Sequence, residues 1–388
     1  MKKSLSLIYV IFFGIFLVLF SGIKTGYSTV TSKDIVIFGD SLSDVGYANN
    51  FHKIKKNWPD IPETPTIIKQ ATYTSPKVGE TVWPQFLALK YRNGNIGISN
   101  NINTPELNIN QSVIPKLIGN NYAAGGSATV CKGIGEDGDY APPPIGPLRK
   151  GEYCDESEVS IQEHNQIDSY LNQNNNQANS KTIYIIWGGA NNAFLALGDF
   201  SNNTSTLSKL YLFAKYLIVN KVSPVQEISK MQSAADDIAY DVEYLVKHGA
   251  NANNIYIINL PNLGVTPEAT DNGQNMNSFK VKLFESLSKA FNQQLQNDIS
   301  KTNAHIIDAE KFFDRIVKNK AIKINSTKYS FLNVTQSACD FYGDNSLMCI
   351  PKNYISGIYD KYLFEGQVHP TSYSHRVFSI YIDDIINK

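Results

Sequence analysis

Three short runs of β-branched and aromatic residues set the frame for this chain: Ile35-Val36-Ile37-Phe38, Ile183-Tyr184-Ile185-Ile186-Trp187 and Ile255-Tyr256-Ile257-Ile258. Each stops abruptly, the first at Gly39-Asp40-Ser41-Leu42, the second at Gly188-Gly189-Ala190-Asn191, the third at Asn259-Leu260-Pro261-Asn262. Apolar runs of this length, bounded by turn formers, read as strands buried on both faces. Amphipathic segments alternate with them. Ser223-Pro224-Val225-Gln226 has the form of an N-cap with Pro at the first helical position and a capping-box Gln. Ile228, Met231, Ala235, Ile238, Val242 and Leu245 then recur at alternating three and four spacing, and His248-Gly249 closes the helix. Ser278 to Ile299 reads as a second long helix, Gly79 to Tyr91, Val159 to Gln173 and the final Ser372 to Ile386 as further helices, and His305-Ile306-Ile307-Asp308 as a fourth short strand. His248 and His305 are expected to be structural. Buried strands alternating with helices place the chain in the α/β class with a mostly parallel sheet. In such sheets ligands bind beyond the carboxyl ends of strands, which singles out Ser41 and Asn191.

The ends and the cysteines bear on compartment. Met1-Lys2-Lys3 precedes an apolar run from Leu5 to Phe20, and a small, polar stretch follows. That is the pattern of a secretory signal peptide over residues 1–28, with Gly26-Tyr27-Ser28 as the cleavage context; an uncleaved anchor is the alternative. Residues 29–388 are then expected as one exported domain, secreted, periplasmic or at the cell surface. Lys plus Arg equals Asp plus Glu at 35 each, so charge gives no argument for binding nucleic acid. The four cysteines fall into two local pairs, and in an exported chain this argues for Cys131–Cys154 and Cys339–Cys349 among three connectivities. Their spacing does not suit a zinc site, and no metal is expected. The Gly- and Pro-rich loop between Cys131 and Cys154 reads either as a lid, opened by a protease cutting within 132–153, or as a stapled surface loop. Residues 321–363 read as an irregular insertion.

Four features recur in order along the chain: Phe38-Gly39-Asp40-Ser41-Leu42-Ser43-Asp44, Asn121-Tyr122-Ala123-Ala124-Gly125-Gly126, Gly189-Ala190-Asn191, and Val368-His369-Pro370-Thr371. Each taken alone has a plain reading as a turn or a helix cap. Together they resemble the blocks of the SGNH hydrolases, the GDSL-motif lipases and esterases, and Asn259 to Pro267 is similar to the loop these enzymes carry between the third and last blocks. The resemblance implies a three-layer α/β/α, flavodoxin-like fold and a metal-free acyl transfer through serine. Carried over by position, it makes Ser41 the nucleophile and His369 the general base. It places the Ser41 N–H, Gly126 (Gly125 being second choice) and Asn191 in the oxyanion hole. His375 is a rival base inside the last helix.

One position departs from the pattern. The family has Asp three residues before this His, and here Gly366 stands there. A neutral imidazole that takes a proton on one nitrogen needs an acceptor at the other. Glu365, a backbone carbonyl or water, or an anion such as chloride in the space beside Gly366 can fill that place; otherwise the site is silent. The length, the N-terminal segment and the paired cysteines resemble exported phospholipases, lysophospholipases and glycerophospholipid:cholesterol acyltransferases. A lipid acyl hydrolase with transient contact to a membrane surface is therefore expected. An exported esterase of short-chain or carbohydrate esters is the second reading, and a catalytically silent surface protein the third.

Overall fold

The computed structural model describes residues 35–47, 82–92, 120–130, 133, 142–149, 165–196, 224–339, 354–355 and 361–388. The chain divides into residues 1–32 and 33–388, and every described residue belongs to the second unit. The expected signal segment lies outside the described residues. No described helix is long and apolar enough to cross a membrane.

Four strands form one parallel sheet in chain order: β1 (Ile35–Gly39), β2 (Ile183–Trp187), β3 (Ile255–Ile258) and β4 (His305–Ile307). On the free side of β1 the segment 120–124 adds a further partner. Ile37 N donates to Asn120 O at 2.8 Å, Tyr122 N to Ile37 O at 2.8 Å and Ala124 N to Gly39 O at 3.1 Å, with a parallel bridge between Ile37 and Asn121. Counting that segment, the spatial order is the 2-1-3-4-5 of doubly wound, flavodoxin-like sheets, and the chain changes direction of travel across the sheet at β1.

Side-chain alternation splits the core in two, because successive strand residues point to opposite faces. Val36, Phe38, Tyr184, Ile186, Ile255 and Ile257 pack on one face. They meet α2 (Gln166–Gln173), α3 (Ala190–Ala196), α4 (Pro224–Lys247) and α6 (Phe279–Ile299) through such residues as Tyr170, Ala193, Ile238 and Phe291. Between α4 and α6 lies the single turn α5 (Pro267–Thr270). Ile35, Ile37, Ile185, Trp187 and Ile258 pack on the other face, against α1 (Trp83–Arg92), α7 (Ala309–Asn319) and α8 (Ser372–Ile386) through Trp83, Phe312 and Phe378. The result is the α/β/α arrangement expected from the alternation of strands and helices.

Two expectations are corrected. Residues 321–337 are not irregular: β5 (Ala321–Ile324) and β6 (Thr327–Ser330) form an antiparallel hairpin, and β7 (Asn333–Ser337) pairs in parallel with β8 (Tyr362–Phe364). The signal is in the sequence. Ile322 and Ile324 are buried while Lys323 between them is exposed, and Asn325 takes the left-handed conformation (φ 53°) that a tight hairpin turn requires. The expected Cys131–Cys154 and Cys339–Cys349 bonds are not seen either: no disulfide bond is found between described residues. Of the four cysteines only Cys339 is described; it is buried and is not a free thiol, while Cys131, Cys154 and Cys349 lie outside the described residues. Even count and local spacing speak to compartment and do not fix a bond.

The described part of the 132–153 loop is not a detached flap. Pro142 to Gly146 are buried, Ile145 sits in the first core, and Ile145 N donates to Ala128 O at 3.1 Å. Arg149 anchors its far end on Asp237 of α4 at 2.5 Å.

Candidate active site

β1 and β2 end level with each other, Gly39 opposite Trp187. The turn after β1 is held by Asp40 N donating to Trp187 O (3.3 Å), Ser43 N to Asp40 O (3.0 Å) and Leu42 N to Asp40 Oδ1 (3.0 Å). Gly39 is required here by close approach, because a Cβ at this position would lie 2.2 Å from the Trp187 carbonyl oxygen. The turn lifts Ser41 to the carboxyl edge of the sheet, between β2 and the 120–124 segment, where doubly wound folds form their crevice.

The loop ahead of α8 delivers the histidine. Glu365 N donates to His369 O at 2.8 Å, closing a tight turn, and Thr371 caps α8 by accepting from Ser374 N at 3.1 Å. Glu268 N in α5 donates to Gln367 O at 2.9 Å, so the loop after β3 braces the same turn. His369 Nε2 then lies 2.8 Å from Ser41 Oγ, both residues being buried.

Oxyanion donors come from three separate elements. Gly126 takes φ 78°, which favours glycine, and no hydrogen bond is recorded for its N–H or for Ser41 N among the described residues. Gly125 N is already engaged by Asp44 Oδ2 at 2.7 Å, which favours Gly126 over Gly125 as the donor. Asn191 lies in the first turn of α3, and its Nδ2 donates one hydrogen to Ser127 O at 2.7 Å. An amide nitrogen carries two hydrogens, so a second remains to be directed at a ligand.

Burial sets the local electrostatics. It pushes the His369 imidazole down to about 4, so this ring is neutral and able to accept a proton at ordinary pH. Burial, with the positive charge of His369 as a smaller cause, pushes His375 down to about 3. Burial raises Asp40 to about 7, and the neighbouring Asp44 charge adds to it. His375 lies in the second core layer and makes no bond to Ser41, whereas His369 does. His248 Nδ1 bonds to Tyr244 O at 2.8 Å and His305 Nε2 to Asn253 O at 3.2 Å, so both serve local structure. Gly366 is buried within the 365–369 turn. Glu365 is buried too, and its backbone carbonyl accepts from Cys339 N at 2.9 Å and Ser337 Oγ at 2.8 Å. Among the described residues no hydrogen bond joins the Glu365 carboxylate to the His369 ring. No described cluster of His, Cys, Asp or Glu has the form of a metal site.

Sequence reasoning missed the supporting residues. Asp44 takes Gly46 N (2.7 Å) and Tyr47 N (2.6 Å) on one oxygen and Gly125 N on the other, tying the serine turn to the glycine loop. Asn121 Nδ2 donates to Ser43 O at 2.9 Å. Gln166, fully buried at the start of α2, reaches the end of β1. Only Asp44 and Asn121 fall within the blocks read from the sequence; nothing local marks Gln166.

A family model described as GDSL-like Lipase/Acylhydrolase matches residues 35–382. The chain belongs to this family. The GDSL-like match spans every strand of the parallel sheet and both Ser41 and His369, and it makes the chain a serine ester hydrolase. No curated protein matches it. The solved structure of the lipase/acylhydrolase from Enterococcus faecalis is similar at 12% identity, covering 92% of this chain and 96% of that one with a TM-score of 0.35, a likeness too slight to carry function.

Proposed function

We propose that this chain is an exported serine hydrolase that cleaves acyl esters of lipids through an acyl-Ser41 intermediate. The observation that carries the proposal is the buried 2.8 Å contact between Ser41 Oγ and His369 Nε2 at the switch point of the sheet. Ser41 Oγ attacks the ester carbonyl carbon as its proton passes to His369 Nε2. The oxygen that becomes negative is met by Ser41 N, Gly126 N and Asn191 Nδ2. His369 returns the proton to the leaving alcohol oxygen as the ester C–O bond breaks. Water, or a second alcohol such as a sterol, then attacks the acyl-serine with His369 again as base.

The preference for lipid esters rests on the resemblance to exported phospholipases and acyltransferases, and export rests on the Leu5 to Phe20 run. A protease that switches the enzyme by cutting within 132–153 would act outside the buried residues 142–146. The test is labelling by a fluorophosphonate, followed by incubation with phospholipid with and without cholesterol, and with short-chain esters. Labelling lost in Ser41→Ala, with fatty acid released from phospholipid, is the expected result. Labelling that persists in Ser41→Ala overturns the assignment of the nucleophile. Release from short-chain esters alone overturns the lipid preference in favour of a small-ester esterase.

A further inference from the structure

We infer that Gln166 is a positioning residue that fixes the spacing between the oxyanion donors. This rests on the reading of Ser41, Gly126 and Asn191 given above. Gln166 is the first residue of α2, where Asn165 caps the helix by accepting from Asp168 N at 2.8 Å. Its side chain is fully buried and pairs with both backbone groups of Gly39, two residues before Ser41. Gly39 N donates to Gln166 Oε1 at 2.8 Å, and Gln166 Nε2 donates to Gly39 O at 2.8 Å. The carboxamide thus engages Gly39 N and shares Gly39 O with Ala124 N, which donates to the same oxygen at 3.1 Å. The second hydrogen of Nε2 goes to Ser127 Oγ at 3.0 Å, and Ser127 Oγ in turn donates to Pro143 O at 2.7 Å.

Ser127 is the next residue after Gly126, and its carbonyl holds the Asn191 amide at 2.7 Å. One uninterrupted set of bonds therefore runs from the serine turn through Gln166 to the glycine loop and on to Asn191. The three donors arise from three different segments, and the Gln166 amide is bonded to two of those segments at once. Every hydrogen and acceptor of that amide is used within the network, which leaves it little freedom to shift. A displaced donor loses transition-state stabilisation while substrate binding is hardly touched, because the developing oxyanion is met only at the top of the barrier.

The test uses Gln166→Asn, which is too short to reach both Gly39 and Ser127, and Ser127→Ala, which removes the link between Gln166 and the glycine loop together with the Ser127 bond to Pro143 O. Both are measured on a soluble short-chain ester, with kcat corrected for the fraction of protein titratable by fluorophosphonate. The expected result is a fall in kcat of about tenfold or more for Gln166→Asn, a smaller fall for Ser127→Ala, and KM within about twofold in each. In an Asn191→Ala background the further cost of Gln166→Asn shrinks by at least about threefold, since the two act on the same oxyanion. Unchanged kcat in folded protein, a loss confined to KM, or full additivity with Asn191→Ala overturns the inference. If Gln166→Asn does not fold, Ser127→Ala alone decides by the same split of kcat against KM and its own coupling to Asn191→Ala. Asn191→Ala by itself reports on the underlying site: if it leaves kcat intact, the oxyanion reading fails, whereas a loss there with silent Gln166 and Ser127 variants sinks only the role of Gln166.

Discussion

His369 carries the chemistry because of where its ring is buried and what its Nε2 touches. A free imidazole titrates near 6.5, but burial holds this one at about 4. The base is therefore neutral across most of the acid range, and the acid limb of kcat/KM is expected near pH 4. A profile on a short-chain ester from pH 3.5 to 8, with the folded fraction followed in parallel, checks this; a limb at 6.5 would show a ring far better solvated than this one. His369→Ala is expected to reduce kcat by about 10³-fold or more while leaving substrate affinity near normal. Gly39 answers to a different constraint. Gly39→Ala drives a methyl group to within 2.2 Å of the Trp187 carbonyl, so β1 and β2 have to part at the end that carries Ser41. A loss of about 3 kcal/mol in urea unfolding is expected, and a variant as stable as the parent would mean that the strand ends yield easily.

At the scale of elements, the apolar stripes legible in the sequence face the core. Met231, Ala235, Ile238, Val242 and Leu245 line the buried side of α4, and the last helix begins at Ser372 as its Thr cap and apolar face demand. Residue polarity alone misjudged two elements. The α2 pattern starts at Val159 on apolar grounds, yet Asn165 at φ −62°, ψ 159° is the N-cap and the helix begins at Gln166. The β5–β6 hairpin went unread because its solvent face is Lys- and Thr-rich and its strands are short. The Asn165 cap invites a test. Asn165→Ala removes the acceptor for Asp168 N and is expected to lower stability by about 1 kcal/mol, with Asn165→Ser recovering most of it. Thermal unfolding of the three proteins makes the comparison.

The whole molecule adds a pH balance that no single element sets. Between about pH 3.8 and 7 the folded chain keeps a proton on Asp40 that the unfolded chain releases, so this carboxyl disfavours the fold as pH rises. His369 and His375 act in the opposite sense. Their folded values of about 4 and about 3 lie below 6.5, so the unfolded chain binds the extra protons and stability is lost as pH falls below 6.5. Burial raises Asp236, Asp241 and Asp314 as well, so several carboxyls act in the same sense as Asp40 and oppose the two histidines. Asp40→Asn keeps an acceptor for Leu42 N and removes the opposing carboxyl. It is expected to stabilise by about 2–4 kcal/mol at pH 8 and by little at pH 4.5. An offset equal at all pH values would place the effect elsewhere than in ionisation. By itself the sequence determined the class of fold and the order of buried strands and amphipathic helices, because periodicity and turn chemistry are local; the residues of a serine hydrolase followed from the resemblance of its ordered blocks to a known family. Only the tertiary structure decided that His369 and not His375 meets Ser41, that Gly125 is occupied by Asp44, and that Gln166 joins the serine turn to the glycine loop. Those facts depend on contacts between residues more than a hundred positions apart, or on which N–H a distant side chain has already engaged, and no local pattern encodes either.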